Sequence, residues 1–198
     1  MGVTGFSSAV CRALAQRPRE YRRTVTRSAI VVLVAEAETL VAAHRLVHDP
    51  MAARGVPAHV TVLHPFRSVV DDSTAHEVAA IAGRLDAFDA TFAAVDSFPG
   101  SVVFLAPEPL DRFKELTRSF VEAFPDCPPY GGAFPDPHPH LTIGSHLDDD
   151  TADGLARTIA PGLPVTTRVD RLTLLVEDDA GRWSVAQSWP LASSTPSR

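Results

Sequence analysis

The stretch His59-Val60-Thr61-Val62-Leu63-His64-Pro65-Phe66 returns in form 81 residues later as Pro139-His140-Leu141-Thr142-Ile143-Gly144. In both, histidine and threonine alternate with apolar residues. Strand side chains point to opposite faces in turn, so each stretch reads as a β-strand with an apolar pair in a core and a His/Thr pair facing out. A His-x-Ser/Thr triplet alone is weak evidence. With 29 Ser and Thr among 198 residues, 8 histidines give about 1.2 such triplets by chance. The alternation, and the place of each stretch in a larger repeat, set these two apart.

Working outward from the first stretch, Ala29–Val34 is an unbroken apolar run, as in a strand buried on both faces. Residues 37–48 carry Leu40, His44 and Val47 at helical spacing, ended by Pro50. Thr74 and Glu77 form a capping-box pattern for a helix with Val78, Ile81, Leu85 and Phe88 on one face, and Thr91–Val95 is strand-like. The second half repeats this order. Val102–Leu105 is a short strand, and Leu110, Phe113, Leu116, Phe120, Val121 and Phe124 mark an amphipathic helix. A Pro/Gly-rich connection, Pro125 to Pro139, leads into the strand His140–Gly144. Asp150 or Thr151 caps a helix with Leu155 and Ile159, ended by Pro161 and Gly162. Val165–Val176 and Arg182–Trp189 read as a hairpin turning through Asp178–Gly181.

Each half thus reads strand, helix, His-bearing strand, helix, strand. The offsets are 73 for the leading strands (Ser28 to Ser101), 81 for the histidines and 77 for the capping threonines. The expected fold is α+β: two similar, duplicated lobes about a pseudo-twofold axis, flanking a central cleft. The expected organisation is a basic extension over 1–27, one bilobal domain over 28–190, and a tail over 191–198, frayed from Ser193 onward.

Composition limits the function classes. Residues 1–27 hold six arginines against Glu20, a net of +5, and the remaining 171 residues hold 12 basic and 23 acidic groups, a net of −11. So acidic a body repels long duplex nucleic acid, whose affinity comes from many Lys/Arg contacts with phosphates. No apolar run approaches the ~20 residues of a membrane-spanning helix. Cys11 and Cys127 lie far apart in sequence, against a disulfide scaffold or a cysteine zinc site, and fit a reducing cytoplasm.

Two imidazoles and two hydroxyls around one small volume suit a phosphate. Opening a cyclic phosphodiester needs one group to take a proton from water and another to give one to the leaving oxygen. Histidine, with an ordinary pKa of ~6.5, does both near neutrality. Threonine hydroxyls can donate to the non-bridging oxygens, and Gly144 would leave room for close approach.

The paired motifs, His59-Val-Thr-Val-Leu-His-Pro-Phe66 and Pro139-His-Leu-Thr-Ile-Gly144, resemble those of the two-histidine (2H) phosphoesterase superfamily and, within it, the 2′-5′ RNA ligase-like group. The resemblance spans about Ser28 to Trp189. It implies a bilobal α+β fold, His59 and His140 as the catalytic pair, and Thr61 and Thr142 as the hydroxyls that bind substrate phosphate. It further implies action on 2′,3′-cyclic phosphates, 2′-5′ linkages, ADP-ribose 1″,2″-cyclic phosphate or RNA ends.

The resulting expectation is a metal-independent, cofactor-free cyclic phosphodiesterase acting on a small nucleotide or RNA-terminal phosphate, monomeric and away from membranes. Two other readings stand beside it: a non-catalytic nucleotide- or RNA-end-binding module, and a metal-dependent hydrolase using the carboxyl-half histidines. Among the other residues, His44, His48 and His76 read as helix residues and His64 as a turn residue. Arg67 could reach an anion or lie plainly on the surface. Tyr130, Phe134, Phe66 and Trp183 could stack on a base, with core or loop packing as the favoured alternative. Asp148-Asp149-Asp150 reads as a solvated helix start.

Overall fold

The computed structural model describes residues 27–98, 102–134 and 136–193. Residues 1–26, with Cys11 and five of the six arginines, and the end of the tail lie outside them, as does Ser101.

Strand β1 (Ser28–Leu33) is buried at every residue but the last. Its two faces serve different clusters: Ile30 and Val32 join the main core, whereas Ala29 and Val31 meet Val56, Leu175 and Trp183 in a smaller one. A 3-10 turn leads into α1 (Glu38–His48), followed by the short α2 (Pro50–Ala53), β2 (His59–Leu63), α3 (Asp72–Ala82) and β3 (Phe88–Phe98). Then come β4 (Val102–Glu108), α4 (Leu110–Ala123), β5 (Leu141–Gly144), α5 (Asp149–Ile159), β6 (Val165–Val169), β7 (Arg171–Glu177) and β8 (Trp183–Pro190). Two four-stranded antiparallel sheets result, in the orders β2-β1-β7-β8 and β5-β4-β3-β6.

The two sheets are duplicates, with β1 matching β4 and β2 matching β5. The lobes are not contiguous halves of the chain, however. Strand β3, read as the closing strand of the first half, pairs with β4 and β6 in the second sheet. The stretch 165–176, read as one strand of a hairpin, divides at Asp170: β6 stays in the second sheet and β7 returns to the first. The second sheet therefore takes one strand, β3, from the first half, and the first sheet takes two, β7 and β8, from the second. The β7–β8 hairpin itself stands, its turn held by the Asp178 carboxylate accepting from the N–H groups of Ala180 and Arg182.

Helix ends depart from the sequence reading in a uniform way. Asp71, in extended conformation, caps α3 by accepting from the Thr74 N–H at 2.8 Å, and Asp148 caps α5 by accepting from the Thr151 N–H at 2.8 Å. The threonines are thus three residues inside each helix. A carboxylate at that position also answers the positive end of the helix dipole. The 77-residue offset survives, carried by the aspartates. Helix α3 ends at Ala82, so Leu85 and Phe88 lie beyond it, Phe88 already in β3.

In α1 the buried face is Val41 and Arg45, one position on from the expected Leu40, His44 and Val47; Val47 is 75% exposed. Helix α4 follows its pattern, sinking Phe113, Leu116 and Phe120. Phe124, just beyond it, meets Phe66 edge-on at 5.0 Å, which makes Phe66 a core residue.

The body is slightly longer than expected at both ends. Arg27 is bound to Glu177, Leu191 is buried, and the backbone of Ala192 pairs with Leu85 and Ala87. No helix among the described residues is long and apolar enough to cross a membrane.

Candidate active site

Strands β2 and β5 are the edge strands of their sheets, and they lie against one another. An edge strand has a neighbour on one side only. Two such edges can therefore face each other and leave a cavity between the sheets, here about 680 Å³. His59, Thr61, His140 and Thr142 all line it. In both strands the interleaved residues, Val60 and Val62, Leu141 and Ile143, are buried in the core. His140 lies one residue before the start of β5.

The two histidines are held alike. His59 Nδ1–H donates to the Pro57 carbonyl at 2.7 Å, and His140 Nδ1–H donates to the His138 carbonyl at 2.7 Å. A carbonyl only accepts, so the shared proton sits on Nδ1 in each ring and Nε2 is the nitrogen that titrates. His140 also packs edge-on against Phe98 at 5.1 Å and near Phe104 at 5.2 Å.

Burial pushes the His59 pKa down to about 4, helped by the charges of Arg45 and His140 and opposed by the Pro57 hydrogen bond and Asp49. Burial lowers His140 too, opposed by its hydrogen bond to the His138 carbonyl and helped to a smaller degree by the His138 ring. Both shifts favour the neutral ring at pH 7. His64 and His138 also line the cavity, so His64 is more than a plain turn residue: its ring lies 6.1 Å from that of Trp183, and burial lowers its pKa as well.

These shifts share one sign. Between about pH 6.5 and pH 4 the unfolded chain binds protons at His59 that the folded protein refuses, so stability falls as pH drops through that window. The loss attributable to His59 is up to about 3 kcal/mol. Urea titrations at pH 7 and pH 4.5 should show it, and His59→Gln should flatten the difference; an unchanged difference would contradict the burial argument.

Charged residues around the cavity are matched within the protein. Arg27 Nε and Nη2 donate to the two Glu177 oxygens at 2.6 and 2.7 Å, and its guanidinium lies 5.8 Å from the Trp183 ring centre. Asp49 pairs with Arg45 at 2.8 Å, and Asp136 with Lys114 at 2.8 Å. The uncharged polar groups that line the cavity and could meet an anion include the hydroxyls of Thr61, Thr142, Ser145 and Tyr130 and the histidine rings. Among the described residues no three His, Cys, Asp or Glu side chains converge in a way that could hold a metal ion.

Other candidates sort plainly. Tyr130, Phe134 and Trp183 line the cavity; Arg67 does not, pairing instead with Asp126 at 3.1 Å over the Phe124 ring. Gly144 leaves no room for a ligand. A Cβ there would stand 2.9 Å from His48 Cβ and 2.9 Å from Leu147 Cδ1, so its bareness serves the packing of α1 on β5. Gly144→Ala should cost about 1–3 kcal/mol in chemical denaturation. A variant as stable as the parent would show that α1 yields easily.

Sequence reading missed Arg27, Arg45, Asp49 and Glu177. Arg45 and Asp49 had a signal, since Val41, Arg45 and Asp49 follow each other at intervals of four. Glu177 and Arg27 had none, being 150 residues apart.

Comparison with known proteins agrees with this architecture. The model of the 2′-5′ RNA ligase superfamily matches residues 31–181. A Halalkalibacterium halodurans protein, named a candidate phosphoesterase, is 28% identical over 160 residues, covering 78% of this chain and 90% of its own. Among solved structures, E. coli LigT complexed with 3′-AMP superposes with a TM-score of 0.55 at 19% identity, over 83% of this chain and 97% of that one. LigT complexed with ATP gives 0.52 at 22% identity, over 84% and 97%.

Proposed function

The chain belongs to the 2′-5′ RNA ligase superfamily, and from that premise we propose that it is a metal-independent phosphodiesterase acting on a 2′,3′-cyclic phosphate or 2′-5′ phosphodiester of a small nucleotide or RNA end. The observation that carries this reading is the matched pair of imidazoles, each fixed by its Nδ1–H, in one cavity with two threonines. E. coli LigT, similar in fold, binds 3′-AMP and ATP, which supports a nucleotide-sized ligand.

In hydrolysis of a cyclic phosphate, His59 Nε2 takes a proton from water as its oxygen attacks phosphorus. The bond from phosphorus to one ribose oxygen breaks, and His140 Nε2–H protonates that oxygen, leaving a nucleoside monophosphate. The roles follow from burial. His59, pushed to about 4, is the ring held neutral and fits the base; the milder depression at His140 fits the acid, and a bound phosphate anion raises both. Thr61 and Thr142 donate to the non-bridging oxygens, where charge builds in the transition state. A cytoplasmic setting is part of this reading.

The test is incubation of the purified protein with 2′,3′-cyclic AMP and a 2′-5′ dinucleotide in the presence of EDTA, with products separated by chromatography. Nucleoside monophosphate formed despite the chelator is the expected result. Nucleotide binding without product across both substrates would leave a binding module, and loss of activity on chelation would point to a metal-dependent hydrolase.

A further inference from the structure

The two sheets are duplicates, but their cavity faces differ in side-chain size. In the first sheet Thr61 pairs with Val31, and Ala29, two residues back on the same face, pairs with Leu175. In the second, Thr142 pairs with Phe104, and Val102, two residues back, pairs with Phe98. Position for position, Val31 answers Phe104, Ala29 answers Val102 and Leu175 answers Phe98, and the first-sheet residue is the smaller each time. The Phe98 and Phe104 rings pack on each other at 4.3 Å and on His140, filling the space beside Thr142. Beside Thr61 the smaller residues leave a hollow. Ala29, Val31 and Leu175 line the cavity there and belong to the small cluster that stands apart from the main core. Met51, Val56 and Trp183 complete the lining. The turn after α2 is stitched to β8, because the Trp183 N–H donates to the Arg54 carbonyl at 2.8 Å and a Cβ on Gly55 (φ 94°) would stand 2.9 Å from the Trp183 carbonyl oxygen. Planar groups meet at Trp183, whose ring has the Arg27 guanidinium at 5.8 Å and the His64 ring at 6.1 Å.

On the reading above, we propose that this first-sheet hollow is the subsite for the substrate's base, and that it selects the base by ring size and not by its hydrogen-bonding edge. The hollow is continuous with the phosphate site, since Val31 is the neighbour of Thr61 across one strand and Leu175 lies two strands over, about 10 Å across the sheet. The phosphate and base of one nucleotide are a sugar apart, so a phosphate at the threonines delivers its base there. An apolar hollow rewards the area it removes from water, and a purine has more of that area than a pyrimidine. Planar neighbours favour a planar ligand, and the face of a base carries no information about which base it is. Side chains able to read an edge are scarce: Arg27 commits Nε and Nη2 to Glu177, and the indole nitrogen of Trp183 is buried. Unequal side chains in a duplicated fold thus make the cavity one-sided.

The test compares 2′,3′-cyclic AMP, GMP, CMP and UMP with glycerol 1,2-cyclic phosphate, which keeps the cyclic ester and has no base. On the parent protein, kcat/KM for the two purines should agree within about threefold, exceed that of both pyrimidines, and exceed that of the glycerol ester about tenfold or more. Ala29→Leu extends a side chain into the hollow, and the preference for cyclic AMP over the glycerol ester should then shrink to about threefold or less. A ratio measured within one preparation is insensitive to any loss of folded protein. A glycerol ester cleaved as well as cyclic AMP, adenine and guanine separated by more than about tenfold, or a preference that Ala29→Leu leaves at its parental value would each overturn the proposal. If no cyclic phosphate is cleaved, the phosphodiesterase reading falls, and calorimetry still decides the subsite. Binding of 3′-AMP about tenfold tighter than ribose 3-phosphate in the parent, and not in Ala29→Leu, supports it; equal affinities in the parent overturn it.

Discussion

His59→Ala and His140→Ala should each lower kcat toward 2′,3′-cyclic AMP by about 10²–10⁴-fold while leaving the fold intact. The magnitude follows from the job assigned to each ring, because general acid or base catalysis by one placed group contributes that range. The intact fold follows from where the rings sit. Both are half-buried at a cavity wall rather than in the core, and the residues that anchor their strands are the neighbouring valines, Leu141 and Ile143. Removing an imidazole therefore opens the cavity further instead of hollowing the interior. The two variants should also differ in their pH profiles. Losing the base should flatten the acid limb, and losing the acid should flatten the alkaline limb. Near-parental rates in both variants, with correct folding shown by circular dichroism, would end the two-histidine proposal.

Arg45→Met should destabilise the protein by about 3–5 kcal/mol, read from urea denaturation at pH 7. Arg45 is 2% exposed and Asp49 is 5% exposed, and their 2.8 Å pair lies at the junction of α1 and α2 behind His59. Asp49 also caps α2 by accepting from the Met51 N–H at 3.0 Å. Taking away the guanidinium strands a carboxylate with little access to water, and that desolvation is the main cost. The pair as a unit is worth far less than its halves. Arg45→Met combined with Asp49→Asn should recover much of the loss, since asparagine can still cap the helix without a charge. A double variant as unstable as the sum of the singles would show that the two residues act independently. Arg45 lowers the His59 pKa, so the single variant should also raise it, visible as a shift in the histidine ring resonances.

Much of this was open to a reader of the sequence. Alternation fixes which side chains of a strand share a face, so His59 with Thr61 and His140 with Thr142 were legible as outward pairs. The α4 face and the hairpin turn at Asp178–Gly181 were legible for the same local reason. The errors were local too, and instructive. In α1 the chain puts an arginine on the buried face, and a pattern that seeks apolar residues slides one position to Leu40 and Val47. At the caps, a carboxylate three residues upstream outcompeted the threonine hydroxyls.

What the sequence by itself determined is most of the longer elements, their repeat, and the chemical character of the two outward pairs, because strand and helix periodicity depend on neighbours a few residues away. Only the tertiary structure decided that β3 joins the second sheet while β7 and β8 join the first, that the two edge strands face across one cavity, and that Arg27 meets Glu177. Those arrangements depend on which apolar faces the sheets cover together, and contacts between residues far apart along the chain leave no periodic mark in it.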